Sequence, residues 1–147
     1  MDMKQNCRAI AYSVMDGRMR FLLLKAPKGY WENPGGGIEA GESSIEATLR
    51  ETREESGITS MCLYPKTRVQ TGYVSESNGN PVYICLDAYA VKVQPRGRVV
   101  LPYELEHIDY RWADYGSALA FLTGYPEQRY VFKRVVHKIP GFGFPGP

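Results

Sequence analysis

At 147 residues, 44% of them hydrophobic and 23% charged, the chain has enough apolar side chain for one ordinary globular core, and nothing in it suggests a second domain. A formal net charge of +2 argues against an extended nucleic-acid surface, and three cysteines without a C-x-x-C pair, beside two histidines, argue against a disulfide framework or a zinc site. The longest strongly apolar run, residues 21–24, is far too short to span a membrane and no leader pattern opens the chain, so the expected location is cytoplasmic, with Cys7, Cys62 and Cys85 as buried thiols.

In chain order, residues 8–15 and 19–26 read as strands joined at Asp16-Gly17, a dipeptide favoured in tight hairpins. Lys4, Arg8, Arg18, Arg20, Lys25 and Lys28 give this part a positive bias that suits phosphates, although scattered basic residues commonly serve solubility alone. Residues 30–42 follow, with four glycines within seven positions, so the backbone there approaches a ligand or metal without Cβ obstruction.

A helix is expected over residues 44–56. Ser43 caps it, Glu46 completes a capping box, and Gly57 stops it. Ile45, Thr48, Leu49 and Thr52 recur at spacings of three and four and form its inward stripe. Glu51, Glu54 and Glu55 share another sector at about 100° per residue. Like charges at these spacings destabilise a helix by roughly 0.2–0.5 kcal/mol per pair, and the negative end of the helix dipole adds to that. A hard divalent cation reverses both terms. The plain alternative is a solvated face on which Arg50 and Arg53 pair with the glutamates.

Beyond the helix, residues 63–74 and 81–93 read as a strand pair about the turn at residues 77–80, the second strand alternating with two used faces. Residues 94–103 form a loop, residues 108–112 a short strand, and Asp114 caps a helix over residues 115–123. A last helix covers residues 127–138. The tail of Pro, Gly and Phe from residue 139 is irregular, and Phe142 and Phe144 suggest docking on a partner or a groove.

The glycine loop and helix together read G-x5-E-x7-R-E-U-x-E-E-x-G-U over residues 36–58, where U is apolar, with Thr52 the one departure. This pattern, with the approach from Trp31 to Pro34, resembles the Nudix box of MutT-like pyrophosphohydrolases. The resemblance implies one domain over residues 1–147, an α/β/α sandwich with a mixed sheet and a loop-helix-loop metal site. It also implies hydrolysis of a nucleoside diphosphate linked to a further group. By the same resemblance Glu51, Glu54 and Glu55 are ligands of magnesium, with manganese as an alternative, and the Gly35 carbonyl joins them. Glu54 and Glu55 are then catalytic, and Glu42 and Arg50 orient loop and helix. Thr52 packs inward at similar volume and leaves the chemistry unchanged.

Glu106-His107 before a strand ending in Trp112 is similar to a feature of Nudix enzymes that act on nucleoside triphosphates or dinucleoside polyphosphates. It implies Glu106 as a fourth carboxylate of the site or the general base, with Glu104 as competitor. Tyr73, sixteen residues beyond Gly57, is close to the position of a tyrosine associated with dinucleoside polyphosphate hydrolases. Arg8, Tyr73 and Tyr83 are the candidate substrate contacts, while Tyr30, Trp31, Tyr125 and Tyr130 are further aromatic residues able to stack on a base. The expected partner is thus a small nucleotide, with no extended nucleic acid and no membrane; a homodimer stays open. ADP-ribose or a nucleotide sugar, an RNA 5′-pyrophosphate and a non-hydrolytic nucleotide-sensing role stay open as alternatives.

Overall fold

The structure, a computed structural model, describes residues 1–96, 99–101 and 106–143. Strand β1 (Asp2–Met15) turns at Asp16-Gly17 into β2 (Arg18–Lys25). Both turn residues have positive φ, 52° and 74°, as a two-residue type I′ hairpin needs. Two short strands that the glycine-rich reading did not anticipate come next: β3 (Trp31–Glu32) pairs with β2, and β4 (Gly35–Gly37) pairs with β1. Segments of two and three residues are too short for alternation to be visible in sequence.

Helix α1 (Ser44–Ser56) has the expected bounds. Ser43 Oγ accepts from the Glu46 N–H at 3.1 Å, Glu46 Oε1 accepts from the Ser43 N–H at 3.0 Å, and left-handed Gly57 ends the helix. Its buried face differs from the expected stripe. Ala47, Thr48, Thr52, Glu55 and Ser56 are buried, whereas Ile45 and Leu49 are half-buried. The hydroxyls of Thr48 and Thr52 donate to carbonyls one turn back, both at 2.7 Å, so they enter the interior without an unpaired polar group.

Strands β5 (Met61–Ser77) and β6 (Asn80–Val93) form a long hairpin about Asn78-Gly79, with a register break between Tyr64 and Val69. Then come β7 (Asp109–Ala113), α2 (Tyr115–Phe121), capped by Asp114, and α3 (Pro126–Val136). Strand order is β3-β2-β1-β6-β5, with β4 also on β1 and β7 also on β2. The sheet is mixed because β1 and β6 run parallel while the other pairs are antiparallel.

Alternation along the strands builds two cores. Ile10, Tyr12, Phe21, Leu23 and Leu86 pack with Leu122, Phe132 and Val135 on the side of α2 and α3. Ala9, Ala11, Leu22, Leu24 and Val91 pack with Ile58 and Leu49 on the side of α1. Three layers result, helix on sheet on helices.

One expectation is corrected here and another is narrowed. Only Cys7 of the three thiols is buried; Cys62 is exposed and Cys85 half-buried, because they sit on strands that the helices cover incompletely. Phe142 docks on its own chain, its ring 5.4 Å from Tyr115 and 6.2 Å from His137. Phe144, Glu104 and part of the expected loop over residues 94–103 lie outside the described residues. Among the described residues, no helix is long and apolar enough to cross a membrane.

Candidate active site

The register of β4 on β1 sets the site, because pairing Gly35 with Arg8 and Gly36 with Cys7 lays the glycine segment beside α1. At Gly36 a methyl group would stand 2.6 Å from Glu51 Oε1, so the carboxylate occupies the space that glycine leaves. Gly35 donates its N–H to Glu55 Oε2 at 3.1 Å. Arg50 ties the same segment down from the helix. It donates to both carboxylate oxygens of Glu42, at 2.7 and 3.0 Å, to the Gly37 carbonyl at 3.0 Å, and to Glu51 and Glu54 at 2.9 and 3.1 Å.

The three helix glutamates have different surroundings despite their common sector. Glu55 is 6% exposed, and its carboxyl is pushed up to about 9, first by burial and then by the charge of Glu51. Burial also raises Glu51, although Arg50 opposes the shift. Glu54 is 41% exposed in its side chain and is paired to Arg50. The hydrogen bonds from Arg50 hold Glu42 below the ordinary carboxylate range.

Glu51 and Glu55 line a cleft of about 620 Å³ with Gly35, Gly36, Glu106 and His107. One ligand atom each from Glu55, Glu106 and His107 lies within 4.8 Å of the others. A buried carboxyl and a half-buried one, both shifted toward the protonated form, beside a third carboxylate and an imidazole form a donor set suited to a divalent cation, which would favour their charged forms. The 430 Å³ cavity under Phe142, at the other end of β1, has Tyr12, Tyr64 and Lys92 in its wall and no such donor set among the described residues.

Glu32 was given no role from the sequence, and His107 was noted there only as the neighbour of Glu106. Glu32 Oε1 lies 2.8 Å from His107 Nε2, and Glu32 Oε2 lies 4.0 Å from Arg8. A side chain on a two-residue strand has no pattern that announces this bridge; its place in the approach from Trp31 to Pro34 was the available signal. His107 is buried because β7 pairs with β2 and draws residues 106–108 over the cleft, with the Ile108 N–H donating to the Lys25 carbonyl at 2.9 Å.

Arg8 belongs to a second, adjoining pocket of about 170 Å³, which it lines with Tyr73, Ser75, Tyr125, Glu127 and Gln128. Tyr30, on the wall of the acidic cleft, meets Tyr125 edge-on at 5.3 Å, and this pair marks the boundary between the two spaces. Tyr83 is a correction. It is not among the residues of either space, because β6 alternation puts Ile84 and Leu86 toward α3 and turns Tyr83 to the other face, where its hydroxyl covers Gly72. Tyr73, opposite Ile84, points toward α3 and reaches the pocket.

The NUDIX domain family matches residues 5–135. The chain is 27% identical over 135 residues to a bis(5′-nucleosyl)-tetraphosphatase (asymmetrical) of Caenorhabditis elegans, covering 90% of this chain and 94% of the relative. It is 32% identical over 110 residues to the enzyme of the same name from Sus scrofa, covering 71% of each. The crystal structure of a C. elegans Ap4A hydrolase binary complex superposes with a TM-score of 0.77 at 25% identity, over 95% of this chain and 99% of that one. With the sheet, the glycine segment and the acidic helix all in place, a match of that extent means that this chain belongs to the Nudix hydrolase family.

Proposed function

We propose that the chain hydrolyses a phosphoanhydride in a dinucleoside polyphosphate or nucleoside triphosphate, with magnesium as its cation and manganese able to replace it. The observation that carries this reading is the adjacency of the acidic cleft to a tyrosine-lined pocket, with Arg8 and the Tyr30–Tyr125 pair between them. A nucleotide has those two halves, a flat base and a polyanionic chain. The names of the relatives from C. elegans and Sus scrofa support the same substrate class.

Glu51, Glu55 and Glu106 would hold the cation, with the Gly35 carbonyl beside them and Glu54 exchanging its Arg50 partner for it. When bound, the cation supplies neutralisation of the polyphosphate and polarisation of the scissile bond. The protein's own groups do the rest. Lys28 and Arg8, on the walls of the two spaces, attract and align the phosphate chain. Tyr73 and Tyr125 hold the base. Glu55 or Glu106 orients a water in line with the phosphorus and accepts its proton. The new phosphorus–oxygen bond forms as the bridging bond breaks, and the leaving phosphate takes the electron pair. Glu42 and Arg50 keep loop and helix in register during the reaction.

The test is release of products from diadenosine tetraphosphate, nucleoside triphosphates, ADP-ribose and 5′-triphosphorylated RNA, with and without magnesium. Magnesium-dependent cleavage is expected for the first two. Glu55→Gln, which keeps the shape and an acceptor for the Gly35 N–H, lowers turnover by orders of magnitude while the fold persists. Near-normal turnover by that variant removes Glu55 from the mechanism. Failure to cleave any substrate, with stabilisation by nucleotide, assigns the chain to nucleotide sensing.

A further inference from the structure

We infer that Glu32 is a positioning residue for Glu106: by holding His107 against the acidic cleft it keeps the Glu106 carboxylate opposite Glu55. This rests on the metal-dependent hydrolytic reading above. Glu106 is exposed and, among the described residues, has no hydrogen bond or ion pair of its own. Its place therefore depends on the residues that follow it in the chain. His107 is 4% exposed, and its Nε2 lies 2.8 Å from Glu32 Oε1, while the Ile108 N–H is held by the Lys25 carbonyl. With His107 anchored in this way, ligand atoms of Glu55, Glu106 and His107 lie within 4.8 Å of one another.

Sheet register brings Glu32 to this task. Leu24 pairs with Glu32 on one side of β2 and with Tyr110 on the other, so β3 and β7 flank the same strand, and the Glu32 carboxylate reaches the residue two places before β7. Both of its oxygens are engaged. Oε1 meets His107, and Oε2 stands 4.0 Å from Arg8 Nη1, which itself donates to the Asn33 carbonyl. Contacts on the two oxygens from opposite partners fix the carboxylate. Without it a buried ring nitrogen of His107 has no partner, which is unfavourable, and turning the ring out to water would draw the adjoining Glu106 away from Glu55. Carboxylates that pair with a histidine of a metal site orient its ligands in this manner. Glu32 also lies on the wall of the cleft. A direct cation ligand depends on its negative charge, whereas a positioning residue depends on its hydrogen bond, and replacement by neutral glutamine separates the two.

Manganese binding to the full chain, followed by electron paramagnetic resonance of the free ion, reads this role apart from catalysis, and turnover of diadenosine tetraphosphate is measured beside it. Glu32→Ala is expected to weaken manganese binding about tenfold or more and to lower turnover with it. Glu32→Gln, which keeps a hydrogen-bonding oxygen for His107, restores both to near the wild-type level. In a Glu106→Gln background, Glu32→Ala adds little further loss, because its effect passes through Glu106. Circular dichroism and thermal unfolding check the fold of each variant, and Glu32→Met replaces the alanine variant if that one is unfolded. Wild-type manganese binding by Glu32→Ala, a loss in Glu32→Gln as large as in Glu32→Ala, or losses that multiply in the double variant overturn the inference. The expected pattern of manganese binding without cleavage of any substrate would overturn the hydrolytic reading alone; cleavage that Glu32→Ala leaves unchanged would overturn the role of Glu32 alone.

Discussion

Glu55 links stability to pH in a direction opposite to that of most carboxylates. Its folded-state value of about 9 stands above the ordinary 4.5, so between those values the folded chain binds the extra proton. The cation-free protein therefore loses stability as pH rises from about 5 to 9. Thermal unfolding across that range is expected to show the decline, and Glu55→Gln to flatten it. Added magnesium stabilises more at the alkaline end, where the carboxylate it would meet is less costly to ionise. The residue types and spacing of this cluster were legible in sequence. Its burial was not, because helical periodicity placed Glu55 with Glu54 on one sector and could not show that the glycine segment closes over one and leaves the other on Arg50.

At the scale of elements, α1 was legible down to its ends because its signals are local. Capping box and left-handed glycine are contacts within a few residues of each other. Ser43→Ala is expected to lower unfolding free energy by about 1 kcal/mol in urea titration with turnover unchanged, since the side chain caps the helix and touches neither pocket. Strands β3 and β4 were not legible. Their existence depends on partners outside the segment, with Leu24 and Lys25 pairing with β3 and Asn6 to Arg8 pairing with β4. Glycine-rich sequence reads as loop in the absence of those partners. Once paired, it becomes the rigid wall of the acidic cleft.

Across the whole molecule, the tail from residue 139 contributes to the core through Phe142, which packs against Tyr115 at the end of the sheet away from the acidic cleft. Phe142→Ala is expected to cost about 1–3 kcal/mol, read as a lower Tm, and to leave KM and turnover near wild type. The same separation explains what each level of description could decide. The amino-acid sequence by itself determined the helix, its caps, the family pattern over residues 36–58 and the acidic chemistry, since each depends on residues close together along the chain. Tertiary structure alone decided which aromatic and basic side chains meet. It brought Arg8 to Tyr73 and Gln128, placed Glu32 on His107, and turned Tyr83 away. Sheet register and the period of two along a strand fix those contacts, and one residue's shift reverses the face, so spacing along the chain could not resolve them.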